Sequence, residues 1–207
     1  MTRCLLVFAH PLENSLNARL AATVEAQARA QGWQVTRRDL YAEGFDPRLT
    51  SEERRDHYAT PPAMPPATLP QEKQELAGAQ VLILVFPTWW FGFPAILKGW
   101  FDRVWAPGTA YDNSPDFGPM LPRLQTLREV LAVTTMGAPA WVDWLVLRRP
   151  VRRILSLSIL KPCAPKARLT WRALHSAEAI APDRVARFEA RLAADITRIA
   201  GRLTCPD

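Results

Sequence analysis

Apolar residues recur along this chain in two rhythms, and the switch from one to the other marks where elements begin and end. Val81 to Phe86 (VLILVF) is an unbroken apolar run, β-branched at Val81, Ile83 and Val85. That is the pattern of a strand buried on both faces of a parallel sheet. Cys4 to Ala9 (CLLVFA) and Arg128 to Thr135 (REVLAVTT) read as further central strands. Val35 to Leu40 alternates only loosely, and Ala167, Leu169 and Trp171 alternate with Arg168, Thr170 and Arg172. Both are predicted edge strands, each with a polar face.

Between the strands the period changes to about four. Leu16, Leu20 and Val24 predict a helix capped by Ser15, running to about Gln31 and ended by Gly32. Ile96/Leu97, Trp100/Phe101 and Val104/Trp105 predict another, opening at Pro94. Short helices are expected after Thr50 and over Gln71 to Ala77, and two more over Trp141 to Leu160, divided by Pro150. Pro182-Asp183 opens the last helix, whose buried stripe is Val185, Phe188, Leu192, Ile196 and Ile199. PPAMPPATLP, Pro61 to Pro70, reads as an extended surface crossing, and Ala106 to Pro122 as a long loop.

Three apolar strands between two polar ones fit a five-stranded parallel sheet in the order 2-1-3-4-5. Right-handed crossovers then put helices on both faces, which makes an α/β three-layer sandwich of the flavodoxin-like kind, one domain over residues 1–207. In that order the loops His10–Asn17, Pro87–Phe91 and Thr134–Gly137 meet at the carboxyl ends of the central strands, where open α/β sheets bind ligands. Ser15, Leu16 and Asn17 would present backbone N–H groups at a helix N-terminus, a natural phosphate site, with His10 as a further donor.

The loop after the third strand is Pro87, Thr88, Trp89, Trp90, Phe91 and Gly92, with large aromatics where a turn normally carries small polar residues. A flat aromatic ligand explains them; packing into the core or a dimer contact is the competing explanation. Thr134, Thr135, Met136 and Gly137 would enclose the other side of such a ring, with backbone N–H groups suited to a reduced, anionic form. No G-x-G-x-x-G follows the first strand, so the dinucleotide-binding Rossmann fingerprint is absent.

Charge adds one feature. The chain carries a net +6, yet Arg148, Arg149, Arg152, Arg153, Lys161, Lys166, Arg168 and Arg172 fall between Trp144 and Ala177 with no acidic residue among them. The other 18 of the 26 basic residues face 20 acidic ones, so basicity is a local patch. A solvated face, attraction of an anionic substrate such as a nicotinamide dinucleotide, and contact with anionic lipid all fit it. No nucleic-acid-binding signature accompanies the patch. Three cysteines, Cys4, Cys163 and Cys205, suggest neither a disulfide framework nor a metal site, and a reducing cytoplasm suits them.

The segments HPLENSLN, PTWWFGFPAILKGWFDRV and TTMG resemble the NAD(P)H:quinone oxidoreductase (diaphorase) family, which also includes the modulator-of-drug-activity proteins and the flavin-binding ancillary subunits of potassium efflux systems. The likeness runs in order and spacing from about Arg3 to Gly137. It implies a homodimer with a flavin at its interface and two-step hydride transfer through flavin N5, from NAD(P)H to a quinone-like, nitro or azo acceptor. FAD is favoured over FMN because the likeness is strongest to FAD-binding members. Carried over by position, His10, Ser15, Leu16 and Asn17 would hold phosphates. Pro87, Thr88, Trp89, Trp90, Phe91, Thr134, Thr135, Met136 and Gly137 would hold the ring.

One departure matters. Where family members carry Gly-Gly followed by a tyrosine and a histidine, this chain has Met136-Gly137 and then Ala138-Pro139-Ala140-Trp141, with no histidine before His175. No protein acid or base is therefore assigned, and His57 and His175 are expected in surface or core roles. The same loop would serve a regulatory flavin-binding subunit of a membrane transporter, the competing function. Dimerisation is expected from the apolar surplus on both sides of the Pro94–Trp105 helix and from Trp141 and Trp144. The basic patch motivates a preference for NADPH over NADH.

Overall fold

A computed structural model describes residues 1–57, 68–114 and 118–204. All but the last three residues of the proline-rich crossing at Pro61–Pro70, and Cys205, lie outside the described residues. Five parallel strands form the central sheet: β1 (Arg3–Phe8), β2 (Gln34–Asp39), β3 (Val81–Pro87), β4 (Glu129–Met136) and β5 (Arg168–His175), in the order β2-β1-β3-β4-β5. The expected sheet order and flavodoxin-like architecture are both present. β3 and β4 are buried along their whole length, as unbroken apolar runs require, while β2 and β5 keep polar residues on the open edges.

The sheet separates two cores. On one face α1 (Leu16–Ala30) and the last helix (Pro182–Thr204) cover Leu6, Phe8, Ile83, Val85, Leu131 and Val133. On the other, α3 (Pro70–Gly78), α4 (Ala95–Val104) and the segment 150–163 cover Val7, Leu82, Leu84, Phe86, Val130 and Ala132. The last helix is tied down by carboxylates as well as by its apolar stripe. Asp195, fully buried, accepts from Arg172 Nη2 of β5 at 2.8 Å, and Glu129 of β4 accepts two bonds of 2.7 Å from Arg202.

Several boundaries differ from expectation. Pro94 is the N-cap of α4 rather than its first residue, with ψ 143°. β5 runs three residues past Arg172 to His175, because Thr134, Thr135 and Met136 of β4 offer it a continuous ladder. The loop after α4 contains a two-residue antiparallel pair, Tyr111–Asp112 with Leu121–Pro122. The helical stretch after β4 begins with a π-helical turn, Val142–Val146, and resumes at Pro150 with a second π-helical segment, Ile154–Leu160. The apolar surplus of α4 is not a dimer face. Ile96, Leu97, Trp100, Phe101 and Val104 are all buried in the chain's own core. Of the residues behind that expectation, Trp141 and Trp144 remain exposed.

Candidate active site

The loops after β1, β3 and β4 converge at the carboxyl end of the sheet around a cleft of about 280 Å3. His10, Leu16, Asn17, Pro87, Thr88, Trp89, Thr135, Met136 and Gly137 line it, together with Ala177 and Glu178 from the turn after β5. Nine of the thirteen residues singled out in the sequence are thus brought together. Ser15, Trp90, Phe91 and Thr134 are not on its wall.

On the β1 side, Ser15 caps α1, its Oγ accepting the Ala18 N–H at 3.1 Å. The ring Nδ1 of His10 lies 3.0 Å from the Leu12 N–H and 3.3 Å from the Leu12 carbonyl. The amide hydrogen occupies Nδ1 in the neutral ring, so the ring's own proton sits on Nε2, free to donate. Burial holds the His10 pKa below the ordinary histidine value, with the Leu12 carbonyl pulling weakly the other way. Asn17 is buried, and its Nδ2 donates to Thr135 Oγ1 at 2.8 Å. Its Oδ1 is also buried and has no hydrogen-bond partner among the described residues. A buried acceptor left open costs about 1–3 kcal/mol, so it calls for a donor from outside the chain.

On the β3 side, Thr88 binds the neighbouring strand twice. Its N–H donates to the Thr135 carbonyl at 2.7 Å, and its Oγ1 shares a 2.6 Å hydrogen bond with Thr134 Oγ1. Thr134 therefore acts from behind the wall. The next residues make a tight reversal. Trp89 N–H donates to Gly92 O at 3.3 Å and Gly92 N–H to Trp89 O at 2.9 Å, while Trp90 and Phe91 sit at φ 50° and 53°. This is a type I′ turn, normally built from Asn and Gly. Two bulky aromatics held left-handed cost about 1–2 kcal/mol each. Trp90 is wholly exposed, whereas Trp89 turns toward the cleft, its ring 6.3 Å from that of His10.

The β4 wall is backbone. A Cβ on Gly137 would lie 2.6 Å from Glu178 Oε1, so the glycine leaves room for that carboxylate. Ala177 N–H donates to Met136 O and Ser176 N–H to Ala138 O, both at 3.1 Å, which fixes the turn after β5 against the turn after β4. Sequence reasoning missed Ala177 and Glu178 because it ended the last strand at Arg172. The available signal was the rule that parallel strands deliver their following loops to one crevice.

Neither remaining histidine lines the cleft. His57 follows helix α2 (Ser51–Asp56) as its C-cap. His175 is buried at the end of β5 with Nε2 3.1 Å from Asp143 Oδ2. None of the eight basic residues of the patch lines the cleft either, and Arg172 is bound to Asp195.

Comparison with known proteins agrees with this architecture. Residues 2–192 match the family described by the flavodoxin-like fold. The chain is 41% identical over 111 residues to an uncharacterized NAD(P)H oxidoreductase, YcaK, of Escherichia coli (strain K12), covering 54% of this chain and 56% of that one. It is 36% identical over 155 residues to NAD(P)H dehydrogenase [quinone] 1 of Cavia porcellus, covering 67% of this chain and 54% of that one. The chain thus spans about half the length of these relatives. Among solved structures, the NAD(P)H:quinone oxidoreductase from Methanothermobacter marburgensis superimposes with a TM-score of 0.81 at 22% identity, over 95% of this chain and 94% of that one. An FMN-dependent NADH-azoreductase from Bacillus anthracis, in complex with FMN, gives 0.72 at 14% identity, over 97% and 100%. With the match extending over nearly its whole length, this chain belongs to the flavodoxin-like fold family.

Proposed function

We propose that this chain is a flavin-dependent NAD(P)H oxidoreductase that delivers hydride to a quinone, nitro or azo acceptor. One observation carries the reading: a cleft at the sheet's switch point with an open, buried Asn17 Oδ1 on one wall and a strained aromatic turn at its mouth. The residues fit a flavin. The N-terminus of α1 and the Nε2–H of His10 would hold its phosphate. Asn17 Oδ1 would accept from a hydroxyl of its sugar-alcohol chain. Trp89 offers an aromatic wall, and Met136–Gly137 offers backbone close enough for ring edges because Gly137 has no side chain. When bound, the flavin supplies the two-electron chemistry, and the protein contributes position and electrostatics. The relatives named as NAD(P)H oxidoreductase and NAD(P)H dehydrogenase [quinone], and the neighbour named as an azoreductase, support this substrate class.

FMN is the flavin we favour. Two neighbours are described with it, the azoreductase and a general stress protein 14 from Treponema denticola, against the FAD implied by the sequence resemblance. We further propose that residues 1–207 act as a single domain in a homodimer, with Trp90 and Trp141 among the exposed apolar residues a second copy would cover. Light scattering that returns monomer mass at micromolar concentration would remove the dimer. No helix among the described residues is long and apolar enough to cross a membrane. Cys4 and Cys163 are free and buried, which suits a reducing cytoplasm.

The deciding experiment is the visible spectrum of the purified protein, followed by heat release and chromatography of the chromophore. Flavin bands, release of FMN, bleaching by NADPH and recovery on adding quinone are the expected sequence. A colourless protein that takes up neither FMN nor FAD would overturn the reading.

A further inference from the structure

A second, smaller pocket lies along β5 and shares no lining residue with the cleft. It holds about 200 Å3, room for a single ring. Its walls are aromatic: Trp144, Trp171 and Phe188. Its polar groups are Arg149, Arg172, Arg191 and His175, with no carboxylate on the lining among the described residues.

These groups are held rather than merely near. His175 is only 7% exposed, and its Nε2 lies 3.1 Å from Asp143 Oδ2. The Trp144 ring stands edge-on to it, 5.9 Å between centroids. Arg148 and Arg149 adopt φ 55° and 53°, two successive left-handed residues outside glycine, a conformation that persists only where its surroundings enforce it. That backbone sets the Arg149 guanidinium 4.5 Å from the centre of the Trp144 ring. Arg172 is neutralised by Asp195, but Arg149 and Arg191 have no carboxylate partner among the described residues. Two guanidinium groups without a carboxylate partner among the described residues and a buried imidazole thus face an aromatic slot.

The geometry points to a binding site for a small planar anion, a one-ring aromatic carboxylate, distinct from the flavin cleft. The guanidinium groups match a carboxylate in a planar, bidentate fashion, and the indole walls take the ring face or edge. The His175 ring adds a further hydrogen-bonding group to the lining. The site stands whether or not the flavin reading does.

The test is calorimetric titration of the intact protein, with and without added FMN, with benzoate and with its neutral isostere benzamide. Saturable benzoate binding is expected, with benzamide at least tenfold weaker, and at least tenfold weakening in Arg149→Gln and in Arg191→Gln. Arg191 is an exposed side chain of the last helix, so its variant folds even if Arg149→Gln does not. Absence of saturable heat up to millimolar benzoate would overturn the proposal, as would equal binding of benzamide. So would benzoate binding that both variants leave unchanged and that a quinone displaces, since the ligand would then sit in the cleft.

Discussion

Trp90 and Gly99 carry side chains, or lack them, against local preference, and each departure can be measured. Trp90 has no burial to lose, being fully exposed, yet holds φ 50°. Trp90→Gly relieves a conformation costing about 1–2 kcal/mol and gives back part of that in chain entropy, so the apoprotein should gain about 1 kcal/mol. Flavin affinity should hold in the same variant, because glycine suits the type I′ turn that presents Trp89 and Trp90 is not on the cleft wall. A lower apoprotein melting temperature would show that Trp90 packs in solution. Gly99 is the reverse case. In a helix interior, alanine is ordinarily better than glycine by about 1 kcal/mol. Here a Cβ would fall 2.2 Å from the Pro47 carbonyl oxygen and 2.4 Å from its Cα, both backbone atoms that cannot swing away. Gly99→Ala should therefore destabilise by about 1–3 kcal/mol, as overpacking does. Denaturant melts with a gain in stability would refute the close approach of α4 to that segment.

Helix α2 is short, and what holds it is electrostatic. Thr50 and Glu53 form a capping box, and Glu53, buried, also takes Arg103 Nε of α4 at 2.9 Å and 3.1 Å. Burial alone would raise the Glu53 pKa, but the Thr50 N–H and the Arg103 guanidinium outweigh it and hold the carboxyl below its ordinary 4.5. A depressed carboxyl contributes stability that is full above the ordinary value and is lost as pH falls through the folded one. Arg103→Met, which strands the buried carboxylate, should cost about 3 kcal/mol at pH 7 and distinctly less at pH 4, where Glu53 can protonate. A pH-independent penalty would mean that only packing was lost. Such ties are what a sequence hides. The runs of β1, β3 and β4 were legible because a strand covered on both faces must be apolar throughout. The end of β5 was not, because Ala173, Leu174 and His175 do not alternate and only pairing with β4 extends the strand. Nor was the fate of α4's aromatics. Residue type says Trp100 and Phe101 will be covered, but not that Phe93, Trp105 and the chain's own sheet do the covering. The two wall residues after β5 stayed hidden for the same reason, since their place depends on where that strand stops.

Across the whole molecule, charge and chemistry occupy different places. The chain is +6, but its eight-residue basic stretch does not line the cleft, on whose wall, among the described residues, Glu178 is the one carboxylate and no lysine or arginine stands. If the proposed activity holds, that stretch acts on an anionic nicotinamide dinucleotide at a distance, through the field rather than by contact. Such steering is screened over about 10 Å at 0.1 M salt and about 3 Å at 1 M. The value of kcat/KM for NADPH should then fall severalfold as salt rises, that for NADH less steeply because it carries less charge, and that for a neutral quinone hardly at all. Near physiological salt the two nucleotides should differ by no more than a few fold. Initial rates across a salt series, with each substrate varied in turn, separate the two cases. A strong NADPH preference that survives high salt would require a cation seated against the extra phosphate. One of the arginines from Arg148 to Arg172 would then have to reach the cleft in the complex, whether by movement of its own segment or from a second copy of the chain.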